Sequence, residues 1–425
     1  MKKIFYIALL FAFVACEDKY ENRHIQRYSQ PYYLTKDYPI FFDASEILVD
    51  IQVKSAINPD ATFKIVANDK YFFAGEKMKG IHVYEKTGNY RANPLCFIEC
   101  KYMKAFDVAD NILYCNNFVD LLAIDVKNPL HAKILHRQKD YFNKYSNNSL
   151  NLPIHSIDNN VYYEIGQKRI VLEGITTETK PPPDFSEYDK LYPNYFAIVN
   201  EIPDSLLMRA DKPSVGIANV EGKIFTLGFD GLTQCLYTSG GIENTRWEKF
   251  SYSNAYNYMQ VYDLRYKDGI IYIYGKKEFM YLDYNKETKQ YIINYSWHEK
   301  ELPLDIVSQT NNYIILSEIN INGYAGMSAA FIEEIGETIY IYYYNIPAQE
   351  ATSMININDI IITLGKQLIT YRKPNSLYTP FTSVKQYSNI SGTSMLRDDN
   401  ILIVANKQGL SFYDISDLGN IKPMQ

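Results

Sequence analysis

Tryptophan is nearly absent from this chain: Trp247 and Trp297 are the only two among 425 residues. Sugar-binding platforms are built on Trp and Tyr, so a glycan surface here has to rely on tyrosine. The six histidines (His24, His82, His131, His136, His155 and His298) are scattered, and none falls in HExxH, the simplest zinc-hydrolase arrangement. No GxSxG nucleophile elbow, P-loop or GxGxxG occurs, so nothing is shaped to activate a serine or cradle a nucleotide phosphate. Basic residues are not in excess. The 43 Lys and Arg against 49 Asp and Glu leave a net charge of −6, which argues against a nucleic-acid partner. No apolar run reaches the ~20 residues of a membrane span. No window keeps apolar residues at i, i+3, i+4 and i+7 behind a cap, so little helix is expected.

What is present begins with an address. Lys2 and Lys3 precede an apolar run, Ile4 to Val14, that fits the core of a signal peptide. The run ends Phe13-Val14-Ala15-Cys16, which resembles a bacterial lipobox. That resemblance implies cleavage before Cys16 and lipid attachment at Cys16, with residues 1–15 removed. Buried acyl chains gain about 0.8 kcal/mol per CH₂, so two or three hold a protein on a bilayer without a transmembrane helix. The alternative is a secreted protein whose Cys16 is incidental. Glu17-Asp18 resembles the surface-export signal of some Bacteroidetes lipoproteins, and an ordinary acidic tether explains it as well. Residues 16–45 read as a lipidated tether and lead-in.

Tyrosine is abundant, at 40 residues, and favours strands. The body from 46 to 425 repeats one pattern: a short strand, a polar turn, a second strand of unbroken apolar residues, then a third. Eight such units appear, including ANDKYFFAG, ADNILYC, DNNVYYEIG, KDGIIYIYG and RDDNILIVA. Their second strands begin at Tyr71, Ile112, Val161, Ile224, Ile270, Tyr313, Ile360 and Ile401, a mean spacing of about 47 residues. Strand-only repeats of that period predict an all-β chain, a β-propeller of seven or eight four-stranded blades. A solenoid is the competing arrangement. The orphan segment Ile47 to Val53 is expected to become the outer strand of the last blade and so close the ring. The unit at 155–180 fits the pattern least. It leads into an insertion at 175–213 that contains Pro181-Pro182-Pro183 and cannot be one ordinary strand.

One unit is more specific. AFDVADNILYCNNFVDLLAIDVKNP, residues 105–129, resembles the LVIVD repeat, in which an aliphatic strand ends in Asp-Val with Asn-Pro after it. LSFYDISDLGNI at 410–421 resembles it again, and GIHVYEKTGN at 80–89 is a fainter copy without the Asp. The central units depart from it: YLDYNKETK keeps Asp283 alone. Together with the lipobox, the chain resembles the LVIVD-repeat lipoproteins of Bacteroidetes. The resemblance implies a propeller and an outer-membrane setting, at the periplasmic side or the cell surface, and no defined reaction.

Candidate chemistry is sparse. Besides Cys16 there are Cys96, Cys100, Cys115 and Cys235. Buried free thiols are the favoured reading, with a Cys100–Cys115 disulfide as the alternative and a metal site disfavoured. Asp398-Asp399-Asn400 lacks the ligand spacing of a calcium loop and suits a tight turn. The run Ile339 to Tyr344 alternates like a packed strand. No catalytic, cofactor or metal residue is therefore assigned. The expected role is non-catalytic, an interaction or scaffold module that presents a propeller face to a protein or glycan partner. The alternative is a polysaccharide-acting hydrolase or lyase with acids at the central channel.

Overall fold

The computed structural model describes residues 30–43, 45, 49–88, 90–144, 154–157, 160–176, 198–199, 216–228, 231–249, 261–267, 270–275, 278–285, 290–297, 304–310, 313–319, 325–335, 338–346, 351–372 and 382–424. Among these the chain is all-β. The helical elements described in full are short, the single turn Tyr141–Lys144 and the 3-10 turn Pro129–His131. The chain divides into two compact units, 1–48 with 152–208, and 49–151 with 209–425.

The larger unit contains seven antiparallel sheets in chain order. Their first and last strands are Thr62–Ala67 and Arg91–Glu99; Phe106–Ala109 and Lys133–Gln138; Gly216–Val220 and Gly241–Lys249; Val261–Lys267 and Gln290–Trp297; Leu304–Thr310 and Thr338–Ile346; Ser353–Ile357 and Thr382–Tyr387; and Ser394–Asp398 and Lys422–Pro423. Each sheet is a meander of four strands, and the first carries a fifth at its outer edge.

All seven share one pairing pattern, in which the start of the second strand faces the second half of the third: Tyr71 pairs with Glu85, Ile112 with Asp125, Ile224 with Cys235 and Ile270 with Asp283. Tyr313 pairs with Phe331, Ile360 with Arg372 and Ile401 with Asp414. This pairing explains the Asp-Val signature. The Asp125 carboxylate accepts from the Lys127 N–H at 2.9 Å and turns the chain, while the Val126 N–H donates to the Asn111 carbonyl at 2.9 Å. Asp414 and Ile415 repeat both bonds with Ser416 and Asn400. In the fainter copy Lys86 N–H still reaches the Lys70 carbonyl, but Glu85 stands where the turning Asp would be.

Where their side chains are described, the second strands are mostly apolar on both sides because both faces of the sheet are covered. Phe73 packs toward the second sheet with Phe106 and Leu113, whereas its neighbours Phe72 and Ala74 pack toward the seventh with Ile403 and Phe412. Tyr114 and Leu121 of the second sheet meet Ile217 and Ile224 of the third, and Ile362 of the sixth meets Leu402 and Val404 of the seventh. The first and seventh sheets are thus neighbours in space. Thr62 Oγ1 lies 2.7 Å from Ser394 Oγ, and the Thr62 N–H donates to Thr393 Oγ1 at 3.1 Å.

Three sequence expectations need correction. Ile47 to Val53 does not complete the last sheet. Gln52–Ser55 adds to the outer edge of the first sheet, paired with Arg91–Glu99, because Ile51 and Val53 find apolar cover there. The seventh sheet takes its fourth strand from its own end, Lys422–Pro423. The lead-in is not simply a tether, since Gln30–Asp43 is a strand of 14 residues. It pairs antiparallel with Asn160–Thr176, and Ile154–Ile157 and Ile198–Val199 complete a four-stranded sheet in the smaller unit. The weak repeat at 155–180 is therefore no eighth copy but part of this other sheet, and the inserted unit runs 152–208 rather than 175–213. Phe41, Phe42, Tyr162 and Tyr163 are buried in it, and Arg169 grips the exposed Asp37 carboxylate through two 2.8 Å bonds.

Candidate functional site

The first strands of the sheets are where the expected channel residues fall. Lys64, on the first sheet, extends its ammonium to the Asp107 carboxylate of the second sheet, to the Phe106 carbonyl at 3.0 Å and to the Ile217 carbonyl of the third at 3.3 Å. An ammonium has three N–H donors, and all three are used. The other Asp107 oxygen accepts from the Val108 N–H at 2.8 Å. This acid and this base are thereby committed to joining three strands, not held apart for proton transfer. Asn219 extends the seam, donating to the Val108 carbonyl at 2.6 Å. Among the described residues, Asn356 Oδ1 on the sixth sheet is a buried acceptor without a hydrogen-bond partner.

The turns between first and second strands form a second candidate surface. Asp110, Glu221, Asn358 and Asp399 occupy the same turn position in four sheets, with φ between 49° and 54°. That left-handed region is tolerated by Asn and Asp better than by most residues, which is why the repeats carry them there. Neighbouring turns touch: Asn68 Nδ2 donates to the Asp110 carbonyl at 3.1 Å, and the Tyr266 hydroxyl donates to Glu221 Oε1 at 3.2 Å. The tips Asp69, Lys70, Asp110, Asn111, Glu221, Asp359, Asp399 and Asn400 are all exposed. The sequence singled out Asp398-Asp399-Asn400 as turn chemistry, and it is the hairpin between Ser394–Asp398 and Ile401–Asn406.

A cavity of about 300 Å³ opens at the outer edge of the first two sheets, walled by Asp50, Gln52, Lys54, Glu99, Cys100, Lys101 and Asn117 among others. Arg137 shapes its floor, donating to Asn117 Oδ1 and Asp120 Oδ2, each at 3.0 Å, and to the Val49 carbonyl at 3.2 Å. Behind the cavity, Asn116 is fully buried and uses its whole amide. Its oxygen accepts from the Lys104 and Ala105 N–H groups at 2.7 and 2.9 Å, and its nitrogen donates to the Tyr102 and Phe118 carbonyls at 3.2 and 2.9 Å.

The four described cysteines are buried free thiols. Cys100 and Cys115 do come together, with sulfurs 3.8 Å apart, unbonded. Burial pushes the Cys96 thiol up to about 11. Cys235 lies within 3.2 Å of the Tyr141 hydroxyl, and its thiol is raised by the same cause. Cys16, His24 and His298 lie outside the described residues, as does most of the Pro181-Pro182-Pro183 insertion. His82 was not singled out by any spacing. It is buried, with Nε2 2.9 Å from the Glu76 carboxylate and Nδ1 3.2 Å from the Ile57 carbonyl, and Lys79 pairs with the other Glu76 oxygen. The Glu76–His82 spacing of six carried no signal, because strand pairing across a hairpin brings them together. Trp247, Trp297 and the run 339–344 lie on fourth strands. Among the described residues no three His, Cys, Asp or Glu side chains gather in a metal-like group, and no helix is long and apolar enough to cross a membrane.

No protein-family model matches the chain, and no curated protein sequence does. Solved structures do resemble it. The WD40 β-propeller domain of Doa1 matches at 9% identity over 85% of this chain and 95% of that one, with a TM-score of 0.42. BamB from Moraxella catarrhalis matches at 11% identity over 85% and 98%, TM-score 0.38. The extracellular domain of a one-component system from B. thetaiotaomicron matches at 12% identity over 85% of this chain, TM-score 0.35, and there the chain spans only 39% of the longer protein. Likeness at this level says nothing about chemistry.

Proposed function

We propose that the larger unit is a closed seven-bladed β-propeller, that lipid on Cys16 ties the chain to the outer membrane, and that it acts without catalysis by holding a protein or glycan partner against one rim. The observation that carries this reading is the repeated four-strand meander with its polar rim. Five of the turns between first and second strands are described; their tips are exposed and polar, and the Asn68–Asp110 and Tyr266–Glu221 bonds link neighbouring sheets. Loops held by a rigid frame are the usual seat of specificity in such folds. Closure rests on the Thr62 bonds to Thr393 and Ser394 and on the shared core of the first and seventh sheets. The lipobox-like Phe13 to Cys16 and the LVIVD-like units support an envelope setting and a likeness to the LVIVD-repeat lipoproteins. The committed Lys64–Asp107 pair weighs against a polysaccharide enzyme acting at the channel.

The test is co-purification of the full chain from detergent-extracted membranes, followed by mass spectrometry, beside a variant carrying Asp69→Lys, Asp359→Lys and Asn400→Lys. A partner retained by the wild type and lost from the variant supports the rim. A wild-type protein that travels alone and binds nothing on a glycan array overturns it. Palmitate labelling that is lost in Cys16→Ser checks the anchor.

A further inference from the structure

Cys100 and Cys115 stand apart from the other described cysteines because they touch each other and because one of them, though buried, lines a cavity. Cys100 sits at the end of the fourth strand of the first sheet and forms part of the wall of the 300 Å³ cavity. Cys115 lies directly behind it, in the second strand of the second sheet, with no exposed surface. The two sulfurs are in van der Waals contact at 3.8 Å. The other polar contact recorded for the Cys100 sulfur is the Asn116 carbonyl, 3.7 Å away. Nothing polar lies between the sulfurs, and no imidazole or carboxylate is bonded to either, as a metal site or a catalytic dyad requires.

We propose that Cys100 and Cys115 are a thiol pair that is oxidised to an intramolecular disulfide by a small disulfide entering through the cavity, Cys100 attacking the reagent first and Cys115 resolving. In the first step the Cys100 sulfur displaces one half of the incoming disulfide, forming a mixed disulfide and releasing one thiol that carries away a proton. In the second, Cys115 sulfur attacks the Cys100 sulfur, closes the internal bond and releases the second thiol. The two protein thiols lose two electrons and two protons, and the reagent disulfide gains them. The order follows from access: a reagent in the cavity reaches Cys100, and Cys115 lies beyond it. Full burial, with Cys100 alongside, also holds the Cys115 thiol well above its ordinary range, so it does not initiate exchange. The bridge would fasten the connection between the first two sheets, 100–105, to the second sheet independently of Asn116. The inference does not depend on which partner the rim binds.

Folded full-length protein is equilibrated with oxidised glutathione, quenched in acid, denatured, alkylated and digested with trypsin without reduction. Lys101 and Lys104 lie between the cysteines, so the two report on separate peptides, 92–101 and 105–127. The expected product is these peptides joined, lighter by two hydrogens than their sum, with alkylation lost at both sites. Cys96 shares the first peptide, so Cys96→Ser must keep the link and Cys100→Ser must abolish it. Cys115→Ser must accumulate glutathione on Cys100. Complete alkylation of both cysteines in the wild type sinks the proposal. So does a link that survives Cys100→Ser, or a wild-type glutathione adduct that never resolves. The wild-type measurement decides by itself if a variant fails to fold.

Discussion

Asn116 shows how much one side chain can organise. The connection 101–105 leaves the first sheet and enters the second without a strand or helix, and Tyr102, Met103 and Ala105 in it are buried. A single amide makes three bonds to it, two accepted and one donated, and a fourth to the Phe118 carbonyl. Asn116→Ala is expected to lower stability by about 3 kcal/mol, since several buried groups lose partners at once, read as a drop in the urea midpoint at unchanged slope. Asp110 is a backbone case instead. At φ 54° a β-branched residue is strained and glycine is not. Asp110→Val should cost about 1–2 kcal/mol and Asp110→Gly close to nothing, measured by thermal unfolding. Such turn residues were readable in the sequence because Asn, Asp and Gly punctuate each repeat. Asn116 was not, because an Asn inside an apolar strand looks like noise until the loop it serves is seen.

At the scale of elements, the second strands were the most legible feature. Two-sided burial forces unbroken apolar runs, and the start of each run pairs with the second half of the third strand in seven sheets. The eighth run, at Val161, has the same local look but pairs with Ile154–Ile157 and Gln30–Asp43. A turn followed by an apolar strand specifies a hairpin and says nothing about which sheet receives it. The segment 56–61, joining the edge strand to the first sheet, is held by Glu76 and His82. Burial pushes the Glu76 carboxyl up, but hydrogen bonds from Lys79, His82 and the Asp60 N–H outweigh it and leave the group below the ordinary 4.5. A depressed folded value means the contribution is complete above about pH 4.5 and fades as pH falls through the folded value. Denaturant midpoints should show Glu76→Gln less stable than wild type at pH 7, with the gap narrowing on acidification. A gap that stays constant to pH 3 would refute this role.

For the whole molecule, the decisive contact is between the first and seventh sheets. Removing 394–425 strips cover from Ile362 and Leu364 on one side and from Phe72 and Ala74 on the other. That shortened chain should lose cooperative unfolding altogether. By contrast, removing 1–48 and replacing 152–208 by a short Gly-Ser link should leave one cooperative transition, monitored by circular dichroism, because the seven-sheet unit has its own cores. The smaller unit was not legible in the sequence for a physical reason. An insertion that pairs with a distant N-terminal strand leaves no composition boundary, only a long-range register that pattern reading cannot reach.

That long-range register has a bearing on how the chain is born. Gln30 pairs with Thr176, and Asp43 with Tyr162. At ordinary ribosomal speeds the leading strand waits roughly 10 seconds for its mate to emerge. During that interval it is a lone ribbon edge with tyrosines along it, open to proteases and to strands of other nascent chains. The smaller unit therefore depends on whatever escorts the N-terminus during synthesis, while the first two sheets can assemble in the meantime.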